Sequence, residues 1–140
     1  MNKAVTALAF DYGLHNIGVA YGQSLTGTAG PLQTLKAKNG VPRWEDIQKL
    51  IGEWQPLLLV VGLPLNMDGS DSEFCRRARR FSRQLHGRFA LPVEMMDERL
   101  SSFAVKQQAR SQGYSGNYRD KPLDSLAAQI ILEDWFRQED

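Results

Sequence analysis

The sequence predicts an α/β fold in which a mixed central sheet of about five strands is flanked by helices on both faces. Three observations predict it: β-prone stretches around a turn near the N-terminus, a continuous apolar run further along, and amphipathic helical segments that alternate with the later strands. The chain has 140 residues, the usual size of one domain, so we expect a single domain over residues 1–140.

The first elements are strands. Residues 5–10 and 17–21 are β-prone, and the glycine-containing turn Asp11-Tyr12-Gly13 stands between them, which indicates a hairpin. A third strand is expected near residues 28–35, with glycines and a proline at its edges.

Helices and strands then alternate. Residues 41–55 predict a helix that Pro56 ends, because apolar residues recur at spacings of three and four. Residues 57–62 are continuously apolar, as is typical of a central strand buried on both faces. Ser70 and Glu73 form a capping box for a second helix, which we expect to end before Gly87.

The C-terminal part continues this alternation. Residues 92–96 predict a short strand that leads into Asp97 and Glu98. A helix capped by a serine at 101 or 102 is expected to reach residue 112, and Pro122 starts the last helix.

Charge and cysteine content limit the possible functions. The net charge is only +1, so attraction to a polyanion needs a local concentration of basic residues. Cys75 is the only cysteine, which excludes an internal disulfide and a zinc ribbon and favours a reducing compartment. No apolar run approaches the roughly 20 residues of a membrane span. We therefore expect a cytoplasmic protein without membrane association, either a monomer or a weak homodimer.

Three acidic residues are candidate catalytic groups and metal ligands. Asp11 follows an apolar strand directly, where the backbone is rigid, although an aspartate also commonly starts a turn. Glu98 follows another strand, and its pair with Asp97 is alternatively a surface pair neutralised by Arg99. Asp124 lies on the first turn of the last helix, where the helix dipole alone favours it.

These carboxylates lie at the ends of elements that could converge on one sheet edge. With two histidines and one cysteine in the chain, oxygen ligands predominate, and such ligands point to Mg²⁺ or Mn²⁺ rather than zinc.

The second helix has a basic face. Its arginines lie outside the apolar face of the helix and could reach a phosphate backbone. A solvated charged surface is the alternative. The loop at residues 66–70 offers backbone N–H groups to phosphate. The nucleic-acid-binding residues that we predict are Asn66, Arg76, Arg77, Arg79, Arg80, Arg83, Arg99, Arg119 and Lys121.

Four motifs, in order and spanning nearly the whole chain, resemble the YqgF family, which is described as Holliday junction resolvase-like proteins and as the nuclease that matures pre-16S ribosomal RNA. The motifs are AFDYG (9–13) with IGVA (17–20), VVGLPLNMDG (60–69), DERLS (97–101) and DSLAA (124–128).

The resemblance implies an RNase H-like fold in which Asp11, Glu98 and Asp124 match the family's acidic triad. It also implies two Mg²⁺ or Mn²⁺ ions roughly 4 Å apart and hydrolysis that leaves a 5′-phosphate. Asn16 departs from the family, which usually has a basic residue before Ile-Gly, so one phosphate contact is in question there.

We therefore expect a nuclease that processes the 5′ end of pre-16S rRNA in ribosome biogenesis, with structured nucleic acid as its partner. A Holliday junction resolvase-like DNA endonuclease and a non-catalytic nucleic-acid-binding protein of the same fold are alternatives, because phosphate contacts do not distinguish the substrates. An actin-like ATPase needs two related domains, for which 140 residues are too few.

Overall fold

The computed structural model describes residues 4–63, 72–97 and 123–139. The helix predicted to reach residue 112 lies outside these ranges. The strands are β1 (Thr6–Asp11), β2 (Asn16–Gln23), β3 (Thr28–Lys38), β4 (Val41–Pro42), β5 (Leu58–Leu63) and β6 (Val93–Asp97). The helices are α1 (Trp44–Trp54), α2 (Glu73–Phe89) and α3 (Leu123–Glu139).

The strands form one six-stranded sheet in the order β4-β3-β2-β1-β5-β6. β1 is antiparallel to β2 and parallel to β5, and β5 is in turn parallel to β6. The predicted mixed sheet and N-terminal hairpin are therefore confirmed. Within the described ranges, no helix is long and apolar enough to cross a membrane.

The sixth strand, β4, replaces the start of the helix that was predicted from residue 41. Asn39 and Gly40 both have positive φ, at 51° and 82°, which is the two-residue hairpin turn that Asn-Gly favours. The turn pairs Val41 with Lys38, so the helix begins only at Trp44.

Helix α2 differs from its prediction at both ends. Its N-cap is Ser72, not Ser70, and the Ser72 hydroxyl accepts the backbone N–H of Cys75 at 3.1 Å. Its C-terminus passes through Gly87, because Phe89 continues the apolar face and packs on the core. Ala90 ends the helix in the left-handed conformation, with φ 57°.

The two faces of the sheet are covered by different helices. Leu8 and Phe10 of β1 pack in one core cluster with residues of α1 and α2. Ala7 and Ala9 pack in a second cluster with Ile131, Leu132 and Phe136 of α3. The helices therefore flank both faces, as predicted, and alternation along β1 assigns each side chain to one of them.

Helix α1 confirms most of its predicted buried face. Ile47 and Leu50 are buried, and Trp44 and Ile51 are partly buried against the same cluster. Trp54 is 38% exposed, and its ring lies 4.5 Å from that of Tyr21.

Tyr12, directly after β1, connects this strand to the β3–β4 turn. Its hydroxyl donates a 3.0 Å hydrogen bond to the carbonyl of buried Gly40, and its ring packs on Phe74 and Phe81. Burial raises the pKa of Tyr12 above its ordinary value of 10.0, and the nearby charge and hydrogen bond of Arg77 offset part of this rise.

Substitution of Tyr12 by phenylalanine should change both stability and its pH dependence. Loss of the hydrogen bond to Gly40 should lower the free energy of unfolding by about 1 kcal/mol at neutral pH. Because the folded-state pKa is raised, the wild-type protein loses stability as the pH rises above 10.0, and Tyr12→Phe lacks that loss. Urea denaturation at neutral and alkaline pH should therefore give a stability difference that shrinks above pH 10.0. A constant difference would contradict this assignment.

Candidate active site and nucleic-acid interface

Three parallel strands end at the same edge of the sheet. β1 ends at Asp11, β5 at Leu63 and β6 at Asp97, and the register pairs Phe10 with Val61 and Leu63 with Asp97. In open α/β sheets, ligands bind outside the carboxyl ends of the strands. The half-buried Asp11 therefore lies at the edge where a ligand is expected.

Asp11 begins a row of paired residues that crosses three strands. Asp11 pairs with Gly18 of β2, and Gly18 pairs with Thr34 of β3. Side chains that are directly opposite in such a row share one face of the sheet. Gly18 has no side chain, so no β2 side chain occupies the space beside the Asp11 carboxylate.

The last residue of this row contacts the start of helix α3. The Thr34 and Ser125 hydroxyl oxygens lie 2.9 Å apart in a hydrogen bond, and Ser125 is fully buried. Asp124 immediately precedes Ser125 on the first turn of the helix. The start of α3 is thus tied to the row that contains Asp11, on the face to which Ala7 and Ala9 also belong.

Alternation along β6 assigns its last residue, Asp97, to one face of the sheet. Met96 packs in the α3 cluster, and Trp135 donates a 3.4 Å hydrogen bond to Glu94. Residues 94 and 96 therefore belong to the α3 face, and Asp97 belongs to the opposite face. Glu98 lies just outside the described residues.

The donor chemistry at this edge suits a hard divalent cation. Among the three predicted ligands, the structure describes the side chain of Asp11 and the backbone of Asp124. Carboxylate oxygens are the ligands that Mg²⁺ and Mn²⁺ prefer. The hydrogen-bonded neighbours β2 and β5 hold β1 on both sides, which gives Asp11 the rigid support that a metal ligand needs.

The arginines of α2 lie on the other side of the sheet. Four of them line a cleft of about 460 Å³ between α2 and the β3–β4 turn, which we call the arginine cleft. Its lining residues are Tyr12, Asn39, Gly40, Val41, Glu73, Arg76, Arg77, Arg80, Arg83 and Gln84.

Two of the cleft arginines have partners within the protein. Arg76 forms a 3.0 Å ion pair with Glu73. Arg77 donates from Nη1 to the carbonyl and side-chain oxygens of Asn39, each at 3.3 Å. The Arg77 contacts connect α2 to the turn on the opposite side of the cleft.

The other predicted nucleic-acid-binding residues are not among the described residues that line the cleft. Arg79 is on α2 but does not line the arginine cleft, and it takes part in another interaction. Arg88, which is not one of the predicted binding residues, lies at the end of the helix over the Trp44 ring at 4.3 Å. Asn66, Arg99, Arg119 and Lys121 lie outside the described residues.

Several residues of the site were not singled out from the sequence. Asn39 carries a readable signal, since Asn-Gly between β-prone residues is typical of a hairpin turn. Ser125 is inside the DSLAA motif beside Asp124, but no local pattern links it to Thr34, 91 positions away.

Two solved structures illustrate the likeness in fold. RuvC of T. thermophilus, in complex with a Holliday junction substrate, matches with a TM-score of 0.58 and 15% identity over 96% of this chain and 95% of that one. The fowlpox virus resolvase, in complex with Holliday junction DNA, matches with a TM-score of 0.56 and 13% identity over 96% of this chain and 98% of that one. At these identities the likeness establishes the fold, and the predicted RNase H-like class is confirmed.

Curated relatives are much closer in sequence. A protein of Saccharophagus degradans is 54% identical over 95% of this chain and 94% of its own length, and one of Chromohalobacter salexigens is 56% identical over 92% and 87%. Both are named "Putative pre-16S rRNA nuclease". Residues 5–138 also match the family RuvX, which is described as "Holliday junction resolvase". The chain therefore belongs to the RuvX family.

Proposed function

We propose that this protein is a metal-dependent nuclease that hydrolyses phosphodiester bonds at the 5′ end of pre-16S rRNA, in the cytoplasm. The observation that carries the proposal is the row from Asp11 through Gly18 to Thr34, whose hydroxyl bonds to Ser125 beside Asp124. The name shared by relatives more than 50% identical supports the choice of substrate.

In this proposal Asp11, Glu98 and Asp124 hold Mg²⁺ or Mn²⁺. Two such ions would lower the pKa of the attacking water and stabilise the leaving oxygen. Asp11 contributes a carboxylate on a strand that is paired on both sides, so its position is set before substrate binds. The hydrogen bond between Ser125 and Thr34 holds the backbone of Asp124 in register with it. Glu98, one residue beyond β6, supplies the third carboxylate.

A Holliday junction resolvase is the second candidate, and specific comparisons favour it. The family is described by that activity, and both structural neighbours were solved with Holliday junction DNA. Phosphate contacts from arginines would position either substrate equally well.

Asp11→Asn should abolish most of the cleavage while the fold is retained. Asparagine is isosteric but lacks the negative charge that a divalent cation needs. We expect the cleavage rate to fall on the order of 10²- to 10³-fold, the range for loss of one electrostatic stabiliser of a transition state. Single-turnover cleavage of a 5′-extended precursor, with Mg²⁺ or Mn²⁺, measures it.

Asp46→Asn is the matched control, because it makes the same chemical change at a different place. Asp46 lies on the first turn of α1, and α1 packs on the opposite face of the sheet. This variant should cleave at the wild-type rate. Equal rates for Asp11→Asn and wild-type protein would exclude Asp11 as a ligand, and wild-type activity that survives removal of divalent ions would exclude the metal mechanism.

Ser125→Ala tests the link between α3 and the sheet. Loss of the hydrogen bond to Thr34 should loosen the start of the helix and so misplace Asp124. We expect the Mg²⁺ concentration for half-maximal cleavage to rise about 10- to 100-fold, as for loss of an outer contact to a metal ligand. Thr26→Ala is the control, because it removes a comparable hydrogen bond between two hydroxyl groups. The Thr26 and Thr28 hydroxyl oxygens lie 2.6 Å apart at an exposed position, so this variant should leave the Mg²⁺ concentration unchanged. An unchanged metal requirement in Ser125→Ala would argue against the positioning role.

The two candidate substrates can be compared directly. Under identical metal and salt, a 5′-extended 16S precursor should be cleaved faster than a four-way DNA junction. The comparison uses the wild-type protein, and Asp11→Asn is the control for contaminating nucleases. Faster cleavage of the junction would contradict the proposed rRNA substrate and favour the resolvase activity.

A further inference from the structure

We propose that the arginine cleft binds a second segment of nucleic-acid backbone, on the face of the sheet opposite to the one on which Asp11 lies. This inference rests on the proposed nuclease function and specifies its substrate class. The substrate would have two backbone segments, as in a duplex or a branched molecule, so that it reaches both faces at the carboxyl edge of the sheet.

The opposite placement follows from β1 and its helices. Asp11 belongs to the same face of β1 as Ala7 and Ala9, which pack under α3. Tyr12 is the next residue, and it packs with Phe74 and Phe81 of α2 and lines the arginine cleft. The chain therefore passes from the candidate catalytic carboxylate to the wall of the cleft within one residue, but the two open onto different faces.

The charge of the cleft favours an anion. Among the described residues, its lining contains four arginines and one glutamate. Glu73 pairs with Arg76 at 3.0 Å and lies 3.9 Å from Arg77. Arg80 and Arg83 are exposed, and neither makes a hydrogen bond or ion pair in the part of the chain that the structure describes. Within the described ranges, two guanidinium groups are therefore available for the bidentate contacts that phosphates accept.

The shape of the cleft favours a chain of phosphates over a single anion. Arg76, Arg80 and Arg83 are spaced four and three residues apart, so they form a stripe along one side of α2. The stripe is about 10 Å long, since each helical residue rises 1.5 Å. That length corresponds to about three nucleotides of one strand, at an axial rise of 3.4 Å each.

The wall opposite the stripe is fixed. Arg77 holds Asn39 through two hydrogen bonds of 3.3 Å, and Tyr12 holds Gly40 through its hydroxyl. Gly40 has a φ of 82°, and a side chain there would collide with the Tyr12 hydroxyl, so this close approach of the turn to Tyr12 requires glycine. The cleft is thus formed before any ligand binds.

The salt dependence of binding tests the proposal. In the Asp11→Asn background and without divalent metal, binding of a short RNA duplex with a 5′ extension is followed by fluorescence anisotropy at several salt concentrations. The double variant Arg80→Gln, Arg83→Gln should make the negative slope of log K (the association constant) against log salt shallower by about 1.8. Each lost phosphate contact removes about 0.9 from the magnitude of this slope. The affinity at low salt should fall on the order of tenfold or more.

The matched control removes the same charge from the same face outside the cleft. Lys49→Gln with Arg88→Gln changes an exposed residue of α1 and the arginine that covers Trp44. This double variant should keep the wild-type slope. Equal slopes in the two double variants would overturn the proposal, because the arginines would then act only through net charge.

A tethered probe tests which backbone segment lies in the cleft. Gln84 lines the cleft, and the native Cys75 is fully buried, so Gln84→Cys offers a thiol for an iron-EDTA reagent. Hydroxyl radicals should cut the duplex strand that the wild-type enzyme does not cleave. Cuts confined to the strand that the enzyme cleaves, or no cuts, would overturn the proposal. The salt-dependence test uses no cleavage, so loss of the nuclease activity and failure of the cleft can be recognised separately.

Discussion

The alternation of side chains along β1 is the constraint on which the rest of the structure depends. Leu8 and Phe10 are buried under α1 and α2, whereas Ala7 and Ala9 are buried under α3. Because both faces are packed, a shift of one residue would exchange the two sets and bring large side chains under the closely packed α3. The same register fixes Asp11 on the α3 face, so the position of the carboxylate is secured by the packing of the core.

The sequence was sufficient to predict elements whose signal is a pattern of apolar residues. The apolar run that becomes β5 and the helical spacing of Ile47 and Leu50 both describe burial, and burial dominates folding, so these predictions were confirmed. The ends of elements were predicted less well. At the start of α2 several serines and an aspartate compete for the N-cap, and the choice of Ser72 depends on which residues of the first turn become buried.

The candidate site was predicted as a set of residue types but not as a geometry. The acidic residues could be chosen from their places at the ends of strands and helices, and from the family resemblance. The row from Asp11 to Thr34 could not be predicted from the sequence. The register of β2 against β3 shifts between Gly18 and Ala20, and no local sequence pattern indicates such an irregularity. Equally, the amphipathic pattern of a helix states that one face is buried but not which face of the sheet it covers. The separation of the arginine cleft from Asp11 therefore became visible only in the folded chain.

This separation bears on how the protein could select a structured substrate. A protein that gathers all its positive charge around its catalytic groups attracts any strand, because phosphate contacts carry no sequence information. Here the formal net charge is only +1, and Arg80 and Arg83 lie on the face that Asp11 does not share. A single strand at the α3 face gains nothing from these arginines unless it bends around the edge of the sheet. A duplex or a branch can place one backbone on each face, so under the proposed function shape would supply the selectivity that base contacts do not.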